Sequence, residues 1–218
     1  MTSRLIFVRH AESLANTIGS LDCGVPGPGL SPLGMTQAAG LADRLAPDLE
    51  NLPVRAIWAS TMLRAQQTAR PLAERLGLPV RTHPLLHEGH VGDLDARVDE
   101  EAHQALEDLL ACWQLEGDLE RCRPGGESGA VLLDRMRRVV ADVLADLAPS
   151  PDLGPGASIV VSHGAILRVA LPRICDGVQP EHTLTHHLPN AVWAVVDVVD
   201  AGAEPPKLVC RSWAEATL

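Results

Sequence analysis

Tyrosine is absent, phenylalanine occurs once, and four tryptophans complete the aromatic set. Leucine, valine and alanine must therefore fill the core, and a hydrophobic content of 46% over 218 residues is enough for a substantial one. A single domain spanning 1–218 is expected. No apolar run approaches the roughly 18 residues of a membrane span, and the four residues before the first apolar run are too few for a secretory signal. No membrane association is expected. The five cysteines are odd in number, widely scattered and free of any C-x-x-C pair. That excludes a disulfide framework and points to reduced thiols in a cytoplasmic protein. Positive charge is scarce: the formal net charge is -10. An overall field of that sign opposes nucleic-acid binding, so any anion site must be a local pocket on an acidic body. There is no internal repeat and no low-complexity tract.

What the chain does have is a set of short apolar runs that end in chemistry. Leu5-Ile6-Phe7-Val8 reads as a strand buried on both faces, and it stops at Arg9-His10. A second run, 54–59, leads into Ser60 and then Arg64. Leu86-His87-Glu88 opens a turn-rich region, and Ser162-His163-Gly164 follows the run 158–161. In an open α/β sheet, ligands bind outside the carboxyl ends of the strands. Two arginines, two histidines and a glutamate gathered there would form a site for a doubly charged phosphoryl group.

Between these runs the periodicity is helical. Ser31-Pro32 fits an N-cap with proline at the first helical position, and Ala38, Leu41, Ala42 and Leu45 extend an apolar stripe to Pro47. Ser60 is the expected N-cap of the next helix, with a kink or break at Pro71. A short strand and turn are expected over 78–86, an acidic solvated stretch over 93–101, and helices over 100–116, after the 123–128 turn, and over 165–174. Loops are expected over 22–29 and 150–156, with the last strands over 191–199 and 207–210. Strands alternating with helices predict an α/β sheet covered on both faces.

Arg9-His10-Ala11-Glu12-Ser13 with Asn16 resembles the RHG/RHA signature of the histidine phosphatase superfamily, which includes the cofactor-dependent phosphoglycerate mutases. The segments at Arg64, Glu88, His163 and the Gly125-Gly126-Glu127-Ser128 turn match the family in order, over roughly 5–193. The resemblance implies a phosphoglycerate mutase-like fold, a three-layer α/β/α sandwich with a mostly parallel central sheet.

The expected chemistry is metal-independent hydrolysis of phosphomonoesters, with no cofactor. Neutral imidazole has a free lone pair near pH 7, so His10 is the expected nucleophile and would carry a phosphohistidine. Arg9 and Arg64 would grip the phosphoryl oxygens through planar forks, with His163 as a third cation if protonated. Asn16 would donate a neutral hydrogen bond, and Gly164 would lie against the substrate. Glu88 would protonate the leaving alkoxide and then deprotonate water. Glu12 and Ser13 read as structural. His83, His87 and His90, and His182, His186 and His187, lack metal-ligand spacing, so no metal site is expected; a substrate contact by His90 stays open.

The family usually continues after the glutamate toward a Gly-Asp-Trp-Glu-Gly-like turn; here it is Gly92-Asp93-Leu94-Asp95-Ala96. Family mutases place an aromatic, a lysine and paired arginines in the following interval, and asparagine after the histidine-glycine pair. Here that interval holds Arg97, Arg121 and Arg123 without lysine, and Ala165 stands in the asparagine position. Both departures favour a phosphatase over a mutase. A catalytically silent phosphate-binding module is the alternative outside enzymes, disfavoured because nucleophile and acid are both present. The expected partner is a small phosphorylated metabolite, and an antiparallel edge strand would permit a homodimer.

Overall fold

The structure is a computed structural model that describes residues 2–49, 52–147, 154–214 and the backbone of 216–217. Seven strands form one sheet: β1 (Ser3–Arg9), β2 (Val54–Ser60), β3 (Val80–His83), β4 (Ala157–Ser162), β5 (Trp193–Asp200), β6 (Lys207–Trp213) and β7 (Ala216–Thr217). Eight α-helices are described: α1 (Leu14–Thr17), α2 (Pro32–Ala39), α3 (Leu41–Leu49), α4 (Leu63–Leu76), α5 (Glu100–Ala111), α6 (Gly129–Leu147), α7 (Gly164–Ile174) and α8 (Pro180–Thr185). The strand order is β3-β2-β4-β1-β5-β6-β7. Pairings from β3 to β1 are parallel and those from β1 to β7 antiparallel, so β5 and β7 alone run against the other five.

β1 lies inside the sheet, and its alternation divides the core in two. Leu5 and Phe7 pack with α6 and α7 through Met136, Val139, Ile166 and Leu167. Ile6 and Val8 face the opposite way, toward α3 and α4 through Leu41, Leu45, Ala65 and Leu72. All four β1 side chains are fully buried, which explains an unbroken apolar run where one solvated face would demand alternation. Helices on both faces make the three-layer α/β/α sandwich that the sequence predicts.

Three local expectations need correction. The stripe from Ser31 to Pro47 is two helices, not one. Ser31 caps α2 as expected, its Oγ accepting from Gly34 N at 3.0 Å, but α2 ends at Gly40 and α3 begins at Leu41 with Pro47 inside it. The break lets α2 lie on the backbone after β1: a Cβ on Gly34 would stand 1.9 Å from Glu12 O. Ser60 is not the cap of α4; it ends β2, and its Oγ accepts from Met62 N, the residue at the cap position. Of the kink or break expected at Pro71, the break does not occur: helix α4 continues through it, because its buried face (Ala65, Ala69, Leu72, Ala73) anchors it to the sheet on both sides of the proline. α8 and β7 have no counterpart in the sequence reading. The expected 150–156 loop lies outside the described residues for 150–153.

Candidate active site

Parallel register builds the site. Arg9 at the end of β1 is paired with Ser162 at the end of β4. The next residues, His10 and His163, are thereby side by side, with His10 N donating to Ser162 O at 2.9 Å and ring centroids 5.1 Å apart. β2, on the far side of β4, ends at Ser60 and delivers Arg64 in the first turn of α4.

His10 is 3% exposed. Its Nδ1 lies 2.8 Å from Ala11 O, and its Nε2 accepts from Arg64 Nε at 3.2 Å. A carbonyl oxygen accepts only from a protonated nitrogen, so the proton resides on Nδ1 and the lone pair on Nε2. Burial, with Arg64 and Arg9 nearby, holds this imidazole well below the ordinary histidine range, despite the opposing bond to Ala11. Its backbone is equally fixed: Asn190 Nδ2 donates to His10 O at 3.0 Å, and Ala11 N donates to Thr68 Oγ1 at 2.9 Å.

His163 is fully buried, and neither ring nitrogen has a partner among the described residues. Burial first, then the charges of His10, Arg64, His87 and Arg9, pushes its ring well below the usual range. It is therefore neutral in the free protein, and the cation expected from the sequence requires a bound anion to draw a proton to it. Arg9 Nε is also buried without a partner, while its Nη1 donates to Leu188 O at 2.7 Å. Burial lowers this guanidinium's pKa, against the favourable charge of Glu88. Unpaired buried polar groups are costly and need a reason; Arg9 lines the pocket, while His163 lies behind His10, outside the lining itself. Gly164 lines the pocket too, and the nearest atom to a Cβ placed there is Arg9 Nε at 3.4 Å.

Glu88 reaches the pocket from the loop after β3. Its carboxylate accepts from Ala165 N and Ile166 N, both at 3.1 Å, in the first turn of α7, and from Gly89 N at 2.8 Å. Asn16 uses Oδ1 within its own turn, accepting from Ser13 N at 3.1 Å and from Asn190 Nδ2 at 3.2 Å. Only its NH₂ group is left to serve a ligand. Ser13 and Glu12 make structural contacts: Ser13 caps α1 and also lines the pocket, and Glu12 accepts from Ser31 Oγ at 2.6 Å.

Several residues of this site escaped the sequence reading. Asp22 clamps Arg64, with Oδ1 accepting from Nη1 at 3.1 Å and its carbonyl accepting from Nη2 at 3.0 Å. Arg135, buried in α6, donates to the carbonyls of Leu85 and His87 and to Glu127 Oε2, bracing the segment that carries Glu88. Arg168 lines the cavity but is paired with Glu107. A positive residue in the middle of the apolar face of α7 was the one available signal for Arg168. The cavity measures about 220 Å³, and Leu21, Val91, Leu106 and Leu110 supply its apolar wall. Of the other histidines, His83 pairs with Asp142 at 3.0 Å and His182 stacks on His186.

At the carboxyl edge of this sheet, then, stand a buried imidazole whose unprotonated Nε2 accepts from Arg64, a second guanidinium on Arg9, and the Glu88 carboxylate. The chain belongs to the histidine phosphatase superfamily, branch 1, whose sequence profile matches residues 5–210. The glucosyl-3-phosphoglycerate phosphatase of Mycobacterium tuberculosis is 33% identical over 174 residues, covering 75% of this chain and 71% of that protein. A PE-PGRS family protein of the same organism is 43% identical over 86 residues, and there the match spans only 14% of the relative's length. The native structure of the mycobacterial glucosyl-3-phosphoglycerate phosphatase shares the fold, with a TM-score of 0.79, 99% of this chain and 100% of that chain covered, and 23% identity.

Proposed function

We propose that this protein hydrolyses phosphomonoesters through a phosphohistidine on Nε2 of His10, without a metal ion. The observation that carries this is the split of the His10 ring: Nδ1 is tied to Ala11 O, while Nε2 keeps its lone pair beside Arg64. In the first step Nε2 attacks phosphorus, the ester P–O bond breaks, and Glu88 gives its proton to the departing alkoxide. In the second, water attacks phosphorus, Glu88 takes the water's proton, the P–N bond breaks, and orthophosphate leaves. Arg9, Arg64, His163 and the Asn16 amide stabilise the charge on the equatorial oxygens.

Hydrolysis is favoured over phosphate return to a sugar acid by where the other cations go. Arg97 pairs with Asp99 and Arg123 with Asp93, outside the pocket lining. Arg168 and Arg64 meet Glu107 and Asp22, so among the described lining residues these two guanidinium groups are already paired and offer little to a substrate carboxylate. The substrate is a small phosphorylated metabolite. We take residues 1–218 as one domain, since a single sheet passes through it. A cytoplasmic setting fits its free cysteines, and no described helix is long and apolar enough to cross a membrane.

The test is His10→Ala. Turnover should be abolished with the fold intact, and acid-labile, base-stable phosphate should be trapped on the wild type alone. More than a trace of activity in the variant would rule out the phosphohistidine route.

A further inference from the structure

Three loops meet beside the phosphate pocket in a cluster that the proposed hydrolysis does not use. Cys23 follows the arginine clamp Asp22, His90 lies two residues after Glu88, and Asp95 follows the short Gly92–Leu94 turn. One ligand atom from each side chain falls within 4.8 Å of the other two. Among the described residues, this is the group of histidine, cysteine and acidic side chains that converges so closely; neither histidine trio in the sequence does.

The three are held in place by backbone. Cys23 is buried, with its N–H donating to Asp95 Oδ1 at 2.9 Å and its Sγ 3.0 Å from the same oxygen. His90 N donates to Glu127 Oε2 at 2.9 Å, and Glu127 N donates back to His90 O at 2.7 Å. Gly92 N donates to His90 Nδ1 at 3.1 Å. Room around this loop is tight: a Cβ on Gly126 would stand 2.8 Å from His90 O, and one on Gly92 only 2.2 Å from Pro124 O. The ligands are therefore positioned by the chain path rather than by a search among rotamers.

A thiolate, an imidazole and a carboxylate form a borderline-soft donor set. Magnesium and calcium prefer oxygen ligands throughout. Zinc accepts all three donors, at about 2.3 Å for sulfur and roughly 2.0–2.2 Å for nitrogen and oxygen. Ligands around a tetrahedral ion at such bond lengths stand about 3.3–3.8 Å apart, so an edge at the 4.8 Å limit must contract by about 1.0–1.5 Å, while the 3.0 Å edge between Cys23 Sγ and Asp95 Oδ1 must widen by about half an ångström. We propose that Cys23, His90 and Asp95 form a three-ligand Zn²⁺ site on the rim of the phosphate pocket, with water in the fourth position. Binding replaces the thiol proton with the metal ion and releases that proton to solvent; no electron moves. The ion would join the loop that carries Asp22 to the loop that carries Glu88.

Cobalt(II) reports directly on such a site, because a thiolate ligand gives it a near-ultraviolet charge-transfer band. Titration of the full chain with Co²⁺ should produce this band with a one-to-one endpoint, and Zn²⁺ should bleach it. A tenfold excess of Mg²⁺ should leave it in place. Cys23→Ser should remove the band, whereas Cys122→Ser, at the exposed thiol, should keep it. His90→Ala and Asp95→Asn should each weaken binding at least tenfold by competition against a chelator; both lie on loops, which keeps the test open if the Cys23 variant fails to fold. No band in the wild type, a band that survives Cys23→Ser, displacement by Mg²⁺, or unchanged affinity in both loop variants overturns the proposal. None of these readouts depends on turnover, so they stand apart from the hydrolase assignment.

Discussion

Asp22 is the residue whose role is least obvious from its surroundings in sequence. It places a carboxylate on the guanidinium that should hold the phosphoryl group, so substrate must share Arg64 with it. Removing that negative charge favours an incoming phosphate. Asp22→Asn should lower the inhibition constant of inorganic phosphate by about threefold to tenfold, within the range of a partly desolvated charge-assisted bond; a rise would mean that Asp22 serves to aim Arg64. A second residue carries strain. Ala96 sits at φ 61°, where an L side chain costs about 1–2 kcal/mol. This is the position at which the family's turn ends in glycine, so the backbone shape has outlasted the residue that suits it. Ala96 is exposed and loses no packing on truncation. Ala96→Gly should raise the unfolding free energy by about 0.5–1 kcal/mol, read as a higher denaturant midpoint at unchanged slope.

At the scale of elements, the decisive junction is the first turn of α7. Its free N–H groups point at the Glu88 carboxylate, as the orphan donors of a helix N-terminus do for anions. The helix thus places the proposed general acid opposite the strand that places the proposed nucleophile. A general acid matters most when the leaving group is poor. Glu88→Gln should cost about 10²–10⁴-fold in kcat/KM for an alkyl phosphate, and far less for nitrophenyl phosphate, whose leaving group needs little help. Equal losses for both substrates would move the acid's role elsewhere, with Asp93 and His90 the next titratable groups in that loop.

For the whole molecule, the site exacts a stability cost that depends on pH. His10 and His163 both have depressed pKa values in the fold, chiefly through burial. Above about pH 6.5 each is neutral whether folded or unfolded, and contributes no dependence. Below that, the unfolded chain binds two protons that the folded chain refuses, so stability falls as pH falls, by up to about 1.4 kcal/mol per pH unit for each ring. Denaturation between pH 7 and 5 should show this slope, and His163→Ala should lose its share. Saturating inorganic phosphate should flatten the slope, because an anion among these groups lets the folded state accept a proton; an unchanged slope would argue against His163 facing the anion.

The sequence by itself determined the parts whose cause is local. An apolar run too short for a buried helix and too uniform for a half-solvated strand could only be β1, and what followed it marked the sheet edge where the candidate site lies. Arg9, His10, Arg64, Glu88 and His163 were all legible in this way, since each comes shortly after a strand or a turn next to one. Tertiary structure decided everything that needs two distant segments at once. The pairing of β1 with β4, set by hydrogen bonds between backbones that carry no side-chain label, is what puts His10 beside His163. The division at Gly40, the unbroken course of α4 through Pro71 and the clamp of Asp22 on Arg64 follow from packing against partners far along the chain. So does the identity of the unprotonated nitrogen of His10: a histidine in a sequence has two, and only the carbonyl of Ala11 on one side and the guanidinium of Arg64 on the other leave the lone pair on Nε2.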